Sequence, residues 1–336
     1  MLNQPCINPA LERMAKPGSG QNPAIPPFSH PLWAGALCEN ASAEASTSAN
    51  SRFRVPAHGA VTCEGVRPVP TLAPSPACHS LQSPRVLDLI KADVSRVGAL
   101  IADADPAGAV PSCPDWTLAE VVGHLGQIHR WATALVTRLP QERIELTTEE
   151  AGEPADWAAK ADWFAEGGAA LVDALGRVDP DAPCYAWGAD QHARFWLRRQ
   201  LHETAIHRVD VELAVLGEAG ELDPAVAVDN VDEFLDNLPY MARFRRAVRE
   251  LHGDGETIHL HATDLDGADL PGEWLITLEP NGFRWSHAHV KGAAAVRGTA
   301  RDLALWINHR IPGSAPGVEL LGEEPLLAYW GAKTAF

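Results

Sequence analysis

Leu201-His202-Glu203-Thr204-Ala205-Ile206-His207-Arg208-Val209-Asp210 is the stretch on which the reading of the chain turns. It falls inside a predicted helix from Ala193 to Leu216, along which Trp196, Gln200, Glu203, His207, Val211 and Ala214 recur at steps of three or four and share one stripe. The ends of that stripe are apolar and its middle is polar. A polar centre on an inward-facing stripe is costly unless its groups pair or bind an ion, because an unpaired buried carboxylate gives up its hydration for nothing.

A second helix, Leu118 to Leu139, carries Val121, His124, Ile128 and Trp131 on one face, so His124 is also presented inward. Its start is marked by Thr117 and Glu120, spaced as a capping box, with Pro114 and Trp116 just outside. One His from this helix and a Glu/His pair from the other make a nitrogen and oxygen donor set that suits zinc and leaves a fourth position open. The same residues also read as an i, i+4 ion pair, Glu203 with His207, beside a core histidine. Spacing does not choose between these. A metalloprotease is excluded, since H-E-x-x-H needs its second His where Ile206 stands. His202 shares its face with Ile206, Val209 and Leu213 and reads as a core residue, while His129 competes with His124 from another face and ranks after it.

Outward from these segments, amphipathic helices are expected over about Arg85 to Ala102, Leu118 to Leu139, Asp156 to Arg177, Ala193 to Leu216 and Ala225 to Glu250. After Gly253 the period becomes two. Ile258, Leu260 and Ala262 alternate with His259, His261 and Thr263; Trp274, Ile276 and Leu278 alternate in the next run, which turns at Pro280-Asn281-Gly282 into a strand from Phe283 to His289. Ala293 to Val296 adds a strand, and helices follow from Ala300 to His309 and from Pro325 to Trp330. The fold class is α+β: a helical bundle over 85–250 and a small α+β domain over 251–336. Residues 1–84, rich in Pro, Ser, Ala and Asn and without Asp, read as disordered or as an extension from a mis-assigned start.

The formal charge is −17 and no basic run occurs, which argues against nucleic acid as a partner. No segment has the roughly 18 to 20 apolar residues of a membrane span. Six scattered cysteines without a C-x-x-C suggest neither zinc ribbon nor disulfide scaffold, so a cytoplasmic location is expected. Arg194, Arg198 and Arg199 precede the polar stripe and either hold a carboxylate substrate or form a solvated basic face. His259 with His261, and His287 with His289, point to one side of their strands; a second metal site or plain solvent-facing histidines are the two readings.

Cys113-Pro-Asp-Trp-Thr-Leu-Ala-Glu-Val-Val-Gly-His124-Leu and Leu201 to Asp210 resemble the two signature segments of the mycothiol-dependent maleylpyruvate isomerase family. The resemblance runs from about Arg85 to the end, taking in His259 to Asp264 and Ala304 to Pro312. It implies a DinB-like four-helix bundle in which His124, Glu203 and His207 bind zinc or another divalent metal, followed by the family's smaller C-terminal domain. Arg208 and Asp210 match its H-R-x-D pattern and would orient the site or form a salt bridge. Asn308, His309 and Arg310 stand where the family more often has Gly-Arg. The activity implied is that of an isomerase or S-transferase using a low-molecular-weight thiol, mycothiol, on an electrophilic or carboxylate substrate. The alternatives are a hydrolase using zinc-bound water and a metal-stabilised binding module without chemistry.

Overall fold

A computed structural model describes residues 83–265 and 268–335; of the extension expected over 1–84, residues 1–82 lie outside them, and Ser83 and Pro84 already belong to the first helix. Four long helices open the described chain: α1 (Ser83–Ile101), α2 (Leu118–Arg138), α3 (Lys160–Arg177) and α4 (Ala193–Leu216). In α1 the residues Val86, Ile90, Val94, Val97 and Ile101 recur at helical steps and are buried. The capping box on α2 is formed: Thr117 N–H donates to Glu120 Oε2 at 2.7 Å and Glu120 N–H to Thr117 Oγ1 at 3.4 Å. α1 packs on α3 and α4, and α2 packs on the same two, which closes a four-helix bundle. Two glycines allow the close approaches. A Cβ on Gly168 would stand 2.4 Å from Val94 Cγ1, and one on Gly126 would stand 2.2 Å from the Trp163 ring.

α5 (Pro224–Met241) begins at Asp223, whose carboxylate accepts from Ala225 N–H at 2.9 Å, with Pro224 in the first turn. It stops at Met241 rather than running to 250, and a separate single turn follows at Arg246–Arg249. Its Val226 reaches the bundle core, whereas Ala227, Val228, Val231, Leu235 and Leu238 belong to the core under the sheet. By packing, this helix therefore lies mostly with the C-terminal elements, on the other side of the boundary expected near 250. α4 is shared in the same way, with Leu201 and Val211 in one core and Ala205, Ile206 and Val209 in the other.

The sheet comprises β1 (Thr257–Ala262), β2 (Glu273–Glu279), β3 (Gly282–His287), β4 (Ala294–Gly298) and β5 (Glu319–Gly322), ordered β3-β2-β1-β4-β5. β1 and β4 are parallel and the other pairs antiparallel. The expected hairpin turn is present, with Gly282 at φ 130°, a conformation that glycine adopts freely. β5 is an addition to the sequence reading. One face of the sheet, with Ile258, Leu260, Trp274, Ile276 and Val296, packs on α6 (Ala300–Ile307) and α7 (Glu324–Thr334) through Leu303, Ala304, Leu327 and Trp330. No helix among the described residues is long and apolar enough to cross a membrane.

Candidate metal centre

α2 and α4 bring three side chains to one point. Glu203 Oε1 lies 3.4 Å from His124 Nε2 and 3.2 Å from His207 Nε2, and one ligand atom from each residue falls within 4.8 Å of the others. The two rings meet edge to face with centroids 5.1 Å apart. Both histidines are buried and Glu203 is half-buried. Two imidazole nitrogens and a carboxylate oxygen facing a common point make a donor set able to hold a divalent metal ion.

Two of the three donors, His207 and Glu203, are held from behind. His207 Nδ1 is 2.8 Å from Asp210 Oδ2, so the ring's other nitrogen is turned toward Glu203. Asp210 is itself clamped: Arg310 Nε donates to Oδ1 and a terminal guanidinium nitrogen to Oδ2, both at 2.9 Å, and Ser112 Oγ donates to Oδ1 at 2.6 Å. Burial alone would raise the Asp210 carboxyl. The Arg310 guanidinium and His207 outweigh that and hold it well below the usual carboxylate range. The Cys113 thiol, 3.6 Å from Asp210 Oδ2, is pushed up to about 11 by burial and by that charge, so it remains a protonated donor.

The second carboxylate oxygen of Glu203 is taken by Arg199, at 2.7 and 3.1 Å, and Arg199 also contacts Glu233 at 2.5 and 2.7 Å. Burial opposes ionisation of Glu203, but Arg199 with the two histidines keeps it well below its ordinary range. Glu203 thus offers Oε1 to the site and Oε2 to its neighbour. The three donors line one wall of a cleft whose other wall comes from α5 and the segment after α6. That wall combines apolar Phe234 and Met241 with polar Asn237, Asn308 and Arg310.

Asp210 reaches the site and Arg208 does not. Arg208 pairs with Asp93 at 2.9 Å and Glu212 at 2.6 Å and donates to the Glu221 carbonyl, tying α4 to α1 and to the loop after α4. Of the three arginines singled out earlier on α4, Arg199 enters the cleft, Arg198 is engaged by Asp229 and Asp236, and Arg194 pairs with Asp190 and Asp181 nearer the surface. His129 is fully buried with Nε2 3.0 Å from Thr204 Oγ1, and burial pushes it down to about 3. His202 is buried against Asp229 at 2.8 Å.

Three contributors escaped the sequence reading. Trp116 stacks on His207 at 6.3 Å between centroids and 9° between planes, and meets His124 edge-on at 5.0 Å. Its position at the capping box, eight residues before His124, was the available signal. Glu233 offered none, because it lies 34 residues from Arg199, the side chain it holds; Arg310 was noted only for its place in the family's C-terminal pattern, and nothing in the sequence tied it to Asp210, 100 residues away.

The sequence model of the mycothiol maleylpyruvate isomerase N-terminal domain matches residues 87–212, and that of the MDMPI C-terminal domain matches residues 225–329. The chain belongs to the mycothiol-dependent maleylpyruvate isomerase family. In fold it is similar to two crystal structures of the mycothiol-dependent maleylpyruvate isomerase, one of a histidine-to-alanine mutant. Each is 16% identical with a TM-score of 0.50, over 74% of this chain and 96% of that one. No curated protein matches the chain. Family and ligand cluster together define an enzyme of this superfamily with a site able to hold a metal.

Proposed function

We propose that His124, Glu203 and His207 hold a zinc ion on which the thiol of a small cofactor, mycothiol by family, is used for isomerisation or S-transfer of an electrophilic substrate. The observation that carries this reading is the convergence of His124 Nε2 and His207 Nε2 on Glu203 Oε1, at 3.4 and 3.2 Å, in the wall of a cleft. A divalent ion there supplies positive charge that draws a coordinated thiol toward its thiolate near neutral pH, and the thiolate is a sulfur nucleophile suited to reversible addition at an electrophilic double bond.

The chain's own residues supply the rest. Asp210 fixes the His207 ring, and Arg310 keeps Asp210 ionised so that it accepts from Nδ1. Arg199 covers the charge on Glu203 Oε2 without occupying Oε1. Trp116 closes over both imidazoles, and Trp187, Ile206 and Phe234 make the cleft wall apolar, which strengthens electrostatic interactions within it. Three protein donors instead of four favour an open coordination position, the arrangement of catalytic rather than structural zinc.

The test is turnover of a cis-unsaturated dicarboxylate such as maleylpyruvate, and of a general electrophile, by the zinc-loaded protein with and without mycothiol. Activity that depends on the thiol is expected. Hydrolytic turnover that needs no thiol would replace this reading with that of a zinc-water hydrolase.

A further inference from the structure

We propose that His259, His261, Glu273 and His289 form a second divalent-metal site, of the zinc class, on the outer face of the C-terminal sheet. The backbone places them there. β1 buries Ile258, Leu260 and Ala262 in the core, so His259 and His261 project from the opposite face. The antiparallel register sets Glu273 of β2 directly across from His261. His289 arrives from the link that follows β3, two residues past the strand's end at His287.

Three histidines meet at one carboxylate. Glu273 Oε2 lies 2.8 Å from His259 Nε2 and 3.4 Å from His261 Nδ1, and His289 Nδ1 is 2.7 Å from both carboxylate oxygens. The ring centroids are 5.8, 6.3 and 6.4 Å apart, a triangle of nearly equal sides. Ligand atoms of His259, His261 and Glu273 all fall within 4.8 Å of one another, a property shared among the described residues by two groups, this one and the bundle triad.

The charge pattern favours a cation over plain ion pairing. Every ion-pair partner of Glu273 among the described residues is a histidine, and Arg297, opposite His261 on β4, is taken by Glu319 at 3.0 Å. Three imidazolium ions drawn to a single carboxylate would repel one another. Three neutral imidazoles avoid that repulsion: without an ion each donates an N–H to the carboxylate, and with a cation at the centre the same nitrogens turn lone pairs to it beside one negative oxygen, which is how a zinc-class ion is held. Such an ion would join β1, β2 and the link after β3, locking the antiparallel half of the sheet. None of its ligands lines the bundle cleft, so it is separate from the site between the helices.

The experiment is zinc stoichiometry of the full-length chain after equilibration with Zn2+ and removal of excess. It compares wild type, Glu203→Gln, and a His259→Gln/His261→Gln variant whose fold is verified by far-UV circular dichroism. Wild type is expected to retain two equivalents and each variant one. His289→Ala removes a largely exposed side chain, so folding is not at risk; it is expected to lose zinc from this site at lower chelator concentration than wild type. Zinc retention by the double variant equal to that of wild type would overturn the proposal. So would a single wild-type equivalent abolished by Glu203→Gln. A single equivalent lost only on changing His259 and His261 would support this site and count against the bundle site instead.

Discussion

Asp210 Oδ2 sits 2.8 Å from His207 Nδ1 and is gripped from its far side by Arg310 at 2.9 Å, so a residue from the C-terminal domain sets the orientation of an imidazole in the bundle. The site depends on both parts of the chain. Its ligands come from α2 and α4, but the rigidity of one of them comes from a residue 100 positions further on.

Asp210→Asn keeps the shape of the side chain and removes the charge that Arg310 and His207 both use. Metal affinity is expected to fall by roughly 10- to 100-fold, the usual cost of losing the group behind a ligating histidine. Competition with a chromogenic chelator measures it. An affinity equal to that of wild type would mean that Asp210 serves the domain interface alone.

Arg208→Met should have the opposite profile. Arg208 and Glu212 are both buried and paired at 2.6 Å, and Arg96 and the Gly220 N–H remain on Glu212 once the guanidinium is gone. A loss of roughly 3 kcal/mol is expected, at the low end for breaking half of a buried pair. Metal stoichiometry at the bundle site should not change. Urea unfolding and metal analysis of one preparation give both readouts, and a variant that sheds metal while retaining stability would contradict the assignment of Arg208 to the α1–α4 seam.

The sequence reading took these two residues together, although helical spacing separates them. Three residues on from His207, Asp210 shares its helical face, whereas Arg208, one residue on, is turned about 100° away. The triad was legible for the same reason, as were β1 to β4 from their alternation. What spacing left open was whether Glu203 was committed to an ion pair; the structure divides it, with one oxygen for Arg199 and one for the histidines. The contacts of Arg310 and Glu233 were not legible because separations of 100 and 34 residues leave no period. β5 was missed because Glu319–Gly322 is short and exposed at the sheet edge, with no buried side to alternate against. α5 follows the bundle in sequence yet turns most of its apolar residues to the C-terminal core, where it packs on α6, a choice that amphipathicity alone cannot make.

His129 predicts how the metal-free protein responds to acid. Its folded-state value is about 3, lowered by burial, against about 6.5 in an unfolded chain. The fold therefore keeps its full stability with respect to this group above pH 6.5. It loses stability as pH falls from there toward 3, at about 1.4 kcal/mol per pH unit. His129→Gln removes the titrating ring, so about 3 kcal/mol of the decline between pH 7 and 4 should disappear from urea-unfolding free energies. An unchanged difference between those two pH values would show that His129 is accessible to protons in the folded state.

Trp116 stacked over His207 offers an optical report on the site. Zinc addition to the metal-free protein should change tryptophan emission in wild type, and Trp116→Phe should reduce that change while metal still binds. An identical response in the variant would place the reporting tryptophan elsewhere.

The central claim is most directly tested by calorimetric titration of mycothiol into zinc-loaded wild type and into His207→Ala. The account predicts saturable binding to wild type that is lost on chelation and absent from His207→Ala, with both proteins folded by circular dichroism. Thiol binding of equal strength in the two, or undiminished after the metal is removed, would contradict it.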